Sequence, residues 1–169
     1  MASGAFFNPR TLLLVTPLIS STCTLWYSKD QDFFLGIFAE RIDEKKANDV
    51  LPSYIRGMFV RGTSAVVGLI AVTFWSSLAN IYLYRPILQS RGSLRWYVGT
   101  AALALGHLAW VPAVAWKLKA LMDETTEAEG TTNVGMMKKW LWVNFTRMVT
   151  TDLSAWLCAV AAISTTLCV

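Results

Sequence analysis

The sequence places four long apolar segments along the chain, at residues 11–27, 63–84, 94–116 and about 150–169. Each has the length, roughly 20 residues, that carries a helix across a bilayer core about 30 Å thick. None shows the strict alternation of apolar and polar positions that marks a membrane-spanning strand. The pattern predicts an all-α fold: a four-transmembrane-helix bundle in a single integral membrane domain over residues 1–169, with helices at about 11–27, 58–84, 94–117 and 140–168.

Composition supports this prediction and narrows the partners. The chain is 54% hydrophobic and only 15% charged, against about 25% charged in a soluble domain. Its net charge of +4 comes from lysines and arginines in loops and at helix ends, so no nucleic-acid partner is expected. Cys23, Cys158 and Cys168 lie in apolar segments without metal-binding spacing, so we expect no metal site. The expected partner is the lipid bilayer; the sequence makes no prediction about oligomeric state.

The first apolar segment has two interpretations. Arg10 followed by residues 11–19 is typical of a secretory signal peptide. The apolar run continues to residue 27 without a clear cleavage site, which favours a retained helix. Because polar side chains avoid lipid, we expect one group of hydroxyls to face the bundle interior: Ser20, Ser21, Thr22 and Thr24.

The connection at residues 28–57 predicts an amphipathic helical segment in the first loop. Asp32 can cap a helix that has aromatic and aliphatic residues on one face, and Pro52 would end the charged stretch that follows. Such a helix would lie over the mouth of the bundle or along the interface. The alternative is a solvated loop with an incidental aromatic cluster. The face consists of Phe33, Phe34, Ile37 and Phe38.

Tryptophans divide into two groups by position. Five lie near segment ends, where an aromatic belt is expected: Trp26, Trp96, Trp116, Trp140 and Trp142. Three lie inside the spans, either facing lipid or forming the wall of a cavity: Trp75, Trp110 and Trp156.

The only histidine, His107, lies in the middle of the third apolar segment. An ionisable side chain is costly at that depth and indicates a functional site. Histidine also gains and loses protons near neutrality. The alternative is a structural hydrogen bond to a neighbouring helix. Pro112 has no backbone N–H to donate to the carbonyl one turn back, near Leu108, so a kink in the helix is expected there. A kink beside His107 and Trp110 would open a pocket.

The start of the last helix carries further polar groups. Asn144 and Arg147 are three residues apart, or about 60° around an ideal helix, and so share a face. Arg147 and Asp152 are about 140° apart on the same geometry, which predicts that each finds a different partner. The alternative is that residues 140–147 are only the interfacial start of the helix. Arg61, at the start of the second span, either snorkels to the interface or contributes to the site.

The order of these features resembles the anthrone oxygenase-like family of small integral membrane proteins. The likeness covers roughly residues 58–165: four short spans, a third helix running through Pro112 into Lys117 and Leu118, then a polar loop. It is clearest at Trp140–Arg147, where the last helix opens with Trp140, Asn144 and Arg147.

The resemblance implies cofactor-independent oxygenation of an aromatic polyketide such as an anthrone, in secondary-metabolite biosynthesis, with molecular oxygen as co-substrate. Such a reaction needs a base, donors for an oxyanion, and an apolar pocket that excludes water. His107 is the expected base, with Arg147 and Asn144 as the expected oxyanion donors. The expected substrate-binding residues are Trp110, Arg61, Trp75, Trp156 and Asp152. The partner would then be a small hydrophobic aromatic substrate.

Two further classes stay open. One is a related membrane enzyme that catalyses acid–base cyclisation or isomerisation of a natural-product intermediate. The other is a non-catalytic membrane scaffold, assembly factor or carrier. A channel or transporter is the weakest interpretation, since only the first span offers a polar stripe. If the host is a fungus, we expect an endomembrane such as the endoplasmic reticulum.

Overall fold

The computed structural model describes residues 8–167, and all regular secondary structure in that range is helical. Two long helices come first, α1 (Pro9–Glu40) and α2 (Glu44–Leu83), followed by the short α3 (Arg85–Ser90). The third rod is α4 (Leu94–Gly106), a 3₁₀ turn (His107–Trp110) and α5 (Val111–Met122). The fourth is α6 (Asn133–Arg147), a π-helical turn (Met148–Asp152) and α7 (Leu153–Leu167). The all-α prediction is confirmed for these residues; Cys168 and the predicted helix end at residue 168 lie outside them.

Three of the four rods are long and apolar enough to cross a membrane, as expected for a membrane protein. They are Glu44–Leu83, Leu94–Met122 and Asn133–Leu167. The 32-residue α1 is not among them. Its run of serines and threonines lowers its hydropathy, so the predicted first span is not confirmed by this criterion.

The predicted first loop is almost entirely helical. Only residues 41–43 separate α1 from α2, so the expected loop helix is instead the end of α1 and the beginning of α2. The Asp43 carboxylate accepts a hydrogen bond from the Lys46 N–H and caps α2. Pro52 does not end the helix, because the buried face continues through Leu51 and Ile55 on either side of it.

Of the apolar face predicted for this region, only Phe38 packs against the buried core. Phe33, Phe34 and Ile37 are exposed on the outside of α1, whereas Leu35 between them is buried. The periodicity identified a helix correctly, and most of the bulky apolar positions on the predicted face point outwards. Bulky side chains are not a reliable mark of the inside in a protein whose outer surface is itself apolar.

The four rods enclose a core with two apolar ends and a polar middle. One apolar cluster, at the α1–α2 turn, joins α1, α2, α5 and α6 around Leu51 and Met137. The other, at the opposite end, is centred on Tyr97 and Ala162. Between them, α1 turns its hydroxyls inward as predicted: Ser20, Ser21 and Thr24 are buried, while Thr22 is exposed.

Candidate active site

Two distorted helical turns meet in the middle of the bundle. In the third rod, Pro112 has no N–H for the Leu108 carbonyl, which accepts from the Val111 N–H instead and closes a 3₁₀ turn. In the fourth rod, the π-helical turn carries Thr151 and Asp152. The Trp110 indole N–H donates to Thr151 Oγ1 at 3.0 Å, so the two turns are in direct contact.

His107 and Asp152 form a buried pair across this contact. His107 Nδ1 lies 2.7 Å from Asp152 Oδ1, and the residues are 5% and 4% exposed. An ionised carboxylate only accepts, so the imidazole donates from Nδ1, and in a neutral imidazole Nε2 then keeps its lone pair. Among residues 8–167, no side chain or carbonyl bonds Nε2. The pair therefore has the arrangement of a histidine base that is oriented by an acid.

The second oxygen of Asp152 is held by α1 and by Arg147. Ser28 Oγ donates to Asp152 Oδ2 at 2.9 Å, and Arg147 Nε lies 3.5 Å from the same oxygen. Ser28 Oγ also accepts from Arg147 Nη2 at 3.1 Å. Opposite charges thus offset each other inside the bundle, where a single charge would be very costly.

The contact between Arg147 and Asp152 corrects the expectation from ideal helix geometry. Five residues place two side chains about 140° apart on an α-helix, but the π-helical turn adds one residue per turn and restores them to one face. π-Helical turns occur frequently at functional sites. The prediction that each residue finds a separate partner was therefore wrong for this pair.

Asn144 lies behind Arg147 and does not line the cavity described below. The predicted shared face is confirmed: Arg147 Nη2 donates to Asn144 Oδ1 at 2.7 Å. Asn144 Nδ2 donates to the Ser28 carbonyl at 3.2 Å, and the residue is fully buried. Asn144 thus orients Arg147 and α1; it is a positioning residue. The polar cluster consists of Ser28, His107, Asn144, Arg147 and Asp152.

A cavity of about 180 Å³ adjoins the polar cluster. His107, Trp110 and Arg147 line it, together with Gln31 and Trp140. The remaining wall is mostly aliphatic and aromatic, from α2, the 3₁₀ turn and α5: Ile55, Met58, Phe59, Gly62, Thr63, Val66, Val67, Leu108, Val111, Val114, Ala115 and Leu118. An apolar chamber with a few converging polar groups is the usual form of a small-molecule site.

Three residues expected from the sequence to bind substrate lie elsewhere. Arg61 is exposed and does not line the cavity. Trp75 is 62% exposed, on the outer face of α2. Trp156 borders a separate surface groove and donates to Thr22 Oγ1 at 3.0 Å. Position along a span did not reveal which tryptophan faces inward, because that depends on how each rod is rotated about its axis.

Asp152 has a different place from the one expected. Its carboxylate is engaged by His107, Ser28 and Arg147, and it borders only a small void of about 10 Å³ beside the main cavity. It can orient His107 but does not line the main cavity.

Sequence reasoning missed Ser28 and Gln31, which it placed in the first loop. A signal for them was present: Ser21, Thr24, Ser28 and Gln31 recur at helical spacing on one face of α1. The buried face of α1 therefore continues past Tyr27. The sequence also placed Trp140 in the expected aromatic belt. In the structure Trp140 is 2% exposed and lines the cavity.

Three fungal proteins are similar to the chain along most of its length. The probable epoxidase scpX of Mollisia scopiformis is 25% identical over 89% of the chain and 93% of its own length. The epoxidase pydX of Acremonium sp is 25% identical over 91% of the chain and 93% of its own length. The epoxidase gkaX of Penicillium citrinum is 27% identical over 89% of the chain and 92% of its own length.

No protein-family model and no solved structure matches the chain.

Proposed function

Since similarity to three fungal epoxidases confirms the resemblance to the anthrone oxygenase-like family, we propose that this chain is a membrane-embedded oxidative enzyme. Its substrate is a hydrophobic aromatic polyketide such as an anthrone, its oxidant is dioxygen, and it uses no cofactor. One observation carries the proposal: a histidine oriented by a buried carboxylate lies on the wall of an apolar cavity that an arginine also lines.

The reaction begins with the removal of a proton from the substrate. The central methylene of an anthrone is acidic, and His107 Nε2 takes one of its protons while Asp152 holds Nδ1–H. The resulting carbanion is electron-rich enough to reduce dioxygen and form a C–O bond. Protonation gives a hydroperoxide, which loses water to leave a carbonyl. The methylene thus loses two hydrogens and gains one oxygen atom, and the second oxygen atom leaves as water.

Arg147 and the cavity wall stabilise the charge that develops on the substrate, exclude water and hold the substrate rings. Arg147 shares the partner Asp152 with His107 and lines the same cavity, and it stabilises the negative charge that develops on the substrate oxygen. The apolar wall excludes water, which protects the carbanion from simple reprotonation. The Trp110 ring, fixed by its bond to Thr151, offers a face for the substrate rings.

Isotope labelling tests this proposal. We expect purified protein in lipid nanodiscs, treated with a chelator and supplied with no flavin or nicotinamide, to convert anthrone to anthraquinone. Under ¹⁸O₂ the new carbonyl should carry one labelled atom, because dioxygen is its source. Mass spectrometry of the product measures both the label and the loss of two hydrogens.

Uncatalysed air oxidation sets the background, so empty nanodiscs and the His107→Gln variant are run in parallel. A rate equal to that background would contradict an oxygenase role on this substrate. A requirement for an added cofactor would contradict cofactor independence alone.

The names of the relatives favour a second candidate, epoxidation of a carbon–carbon double bond. In that reaction one oxygen atom joins the double bond, and two electrons from the substrate or a reductant convert the other to water. The product gains an oxygen without losing hydrogen at the reacting carbons. The same mass measurement, made with a polyene polyketide in place of anthrone, distinguishes the two reactions.

The cavity suggests a route from the bilayer. Val67 and Val111 line it, and each is 51% exposed on the outer surface of α2 and α5. Both helices belong to candidate membrane spans, so this surface faces lipid. A hydrophobic substrate dissolved in the membrane would enter here. We also propose that α1 is a fourth span and that the membrane is the endoplasmic reticulum.

Narrowing this opening should impair substrate uptake more than chemistry. We expect Val67→Trp combined with Val111→Trp to raise KM severalfold while kcat changes little, since neither residue belongs to the polar cluster. Steady-state kinetics in nanodiscs measures both constants. Val72→Trp is the matched control, because Val72 is similarly exposed on α2 but does not line the cavity. An unchanged KM in the double variant would exclude this route.

A further inference from the structure

The cavity has unsatisfied polar groups apart from the His107–Asp152 pair. Within residues 8–167, four buried side-chain polar atoms have no hydrogen-bond partner: Gln31 Oε1, Asn80 Oδ1, Trp140 Nε1 and Arg147 Nε. Three of the four belong to residues that line the cavity. A buried polar atom without a partner loses its hydrogen bonds to water and gains none in return, so natural proteins rarely keep one without a reason. Since Arg147 Nε lies 3.5 Å from Asp152 Oδ2 in the ion pair, the other two, Gln31 Oε1 and Trp140 Nε1, point to a ligand with polar groups of its own.

Trp140 and Gln31 both lie apart from the polar cluster. Trp140 lies on α6 seven residues before Arg147, which is about two turns or roughly 10 Å along the helix axis. Gln31 lies one turn beyond Ser28 on α1, in the same direction along the cavity. Both residues line the cavity. The pair is therefore at the end of the cavity that lies towards the α1–α2 turn, away from Asp152.

The contrast with Trp110 shows that this arrangement is specific. Trp110 lines the same cavity, but its indole N–H is used by Thr151. The indole N–H of Trp140 has no such partner, although the residue is only 2% exposed. An indole nitrogen only donates, and a carboxamide offers both a donor and an acceptor. The two side chains thus offer a ligand one donor and one acceptor.

We propose that Trp140 and Gln31 form a hydroxyl-binding subsite, which selects ring substrates carrying a free phenolic hydroxyl at the end remote from the reacting carbon. Trp140 Nε1–H donates to the hydroxyl oxygen, and Gln31 Oε1 accepts the hydroxyl proton. The subsite rests on the proposed function in that it takes the cavity to be the substrate site. It fixes the orientation of a flat substrate that the apolar wall alone would leave free to turn end over end.

A pair of product-like ligands tests the subsite without turnover. The protein in nanodiscs is titrated with 2-hydroxyanthraquinone and with anthraquinone, which differ only in one hydroxyl, and both dissociation constants are measured. We expect the wild type to prefer the hydroxylated ligand about fivefold to tenfold, the contribution of one or two well-placed hydrogen bonds. Trp140→Phe and Gln31→Met should each reduce this preference to nearly one.

The controls separate the subsite from folding and from catalysis. Trp142→Phe, two residues along α6 and 69% exposed, should keep the full preference. Gln31→Met conserves the side-chain volume, so it tests the subsite even where the smaller ring of Trp140→Phe destabilises the fold.

Three results would overturn the subsite: equal affinity of the wild type for both ligands, an unchanged preference in Gln31→Met, or no binding of either ligand. The first two leave the proposed oxygenase function intact, since turnover of anthrone is measured separately. If the wild type did not turn over anthrone but kept the ligand preference, the oxygenase function would be contradicted and the subsite would stand.

Discussion

Replacing His107 by glutamine should reduce turnover by about 10²–10⁴-fold, the usual contribution of a general base. A carboxamide cannot take a proton from the substrate at neutral pH. It can still donate to Asp152 Oδ1, so the buried carboxylate keeps a partner and the helices keep their packing. The measurement is the initial rate of product formation in nanodiscs, with protein amount fixed by absorbance.

Two comparisons make this result specific. Thr166→Val is the control for altering a buried polar group, since the Thr166 hydroxyl donates to the Ala162 carbonyl at the end of the bundle that holds Tyr97, away from the polar cluster. Product-like anthraquinone should bind His107→Gln with nearly wild-type affinity, because the base acts in chemistry rather than in binding. If the variant turned over at the wild-type rate, His107 would be a structural residue. Wild-type turnover no faster than the empty-nanodisc background would instead favour a scaffold or carrier role.

Asp152→Asn should impair both activity and stability. An asparagine that turns its amide nitrogen toward His107 donates to Nδ1 and moves the imidazole proton to Nε2, so the base is lost. In catalytic triads this change of tautomer costs on the order of 10⁴-fold in kcat. It also leaves the charge of Arg147 buried without its counter-ion, which costs about 3–5 kcal/mol of stability.

A double variant separates these two effects. Asp152→Asn with Arg147→Met removes both charges, so much of the lost thermal stability should return while turnover does not. Thermal unfolding in detergent and product formation in nanodiscs are measured on the same preparations. If the single variant were as stable as the wild type, the ion pair would contribute nothing to the fold. If the double variant regained activity, the carboxylate would not be orienting the base.

The helices and the depth of the histidine were predictable from the sequence because they depend on local composition. Apolar runs of bilayer length predict helices whichever way these helices are turned. The depth of His107 follows from the number of residues between it and the two ends of such a run. The shared face of Asn144 and Arg147 follows from three-residue spacing alone, and the structure confirms it with a 2.7 Å hydrogen bond. Each of these inferences uses only neighbours along the chain.

The partner of His107 was not predictable, because it depends on an irregular turn. Ideal α-helical geometry separates Arg147 from Asp152, and only the π-helical turn at Met148–Asp152 brings both onto the face that meets α1 and the third rod. The hydropathy pattern of a sequence does not show where one turn of a helix contains an additional residue. Ser28 was missed for a related reason: its role comes from the extension of α1 beyond the apolar run, which buries a polar residue where a loop was expected.

The sequence by itself determined that the protein is built of helices, that most of these helices suit a membrane, and that one titratable base lies deep among them. Only the tertiary structure decided which side chains share the cavity with that base. It placed Trp110 and Trp140 on the wall and left Arg61, Trp75 and Trp156 outside. The physical reason is that a wholly apolar helix gives little indication of its own rotation, which is fixed by buried polar contacts between helices far apart in sequence.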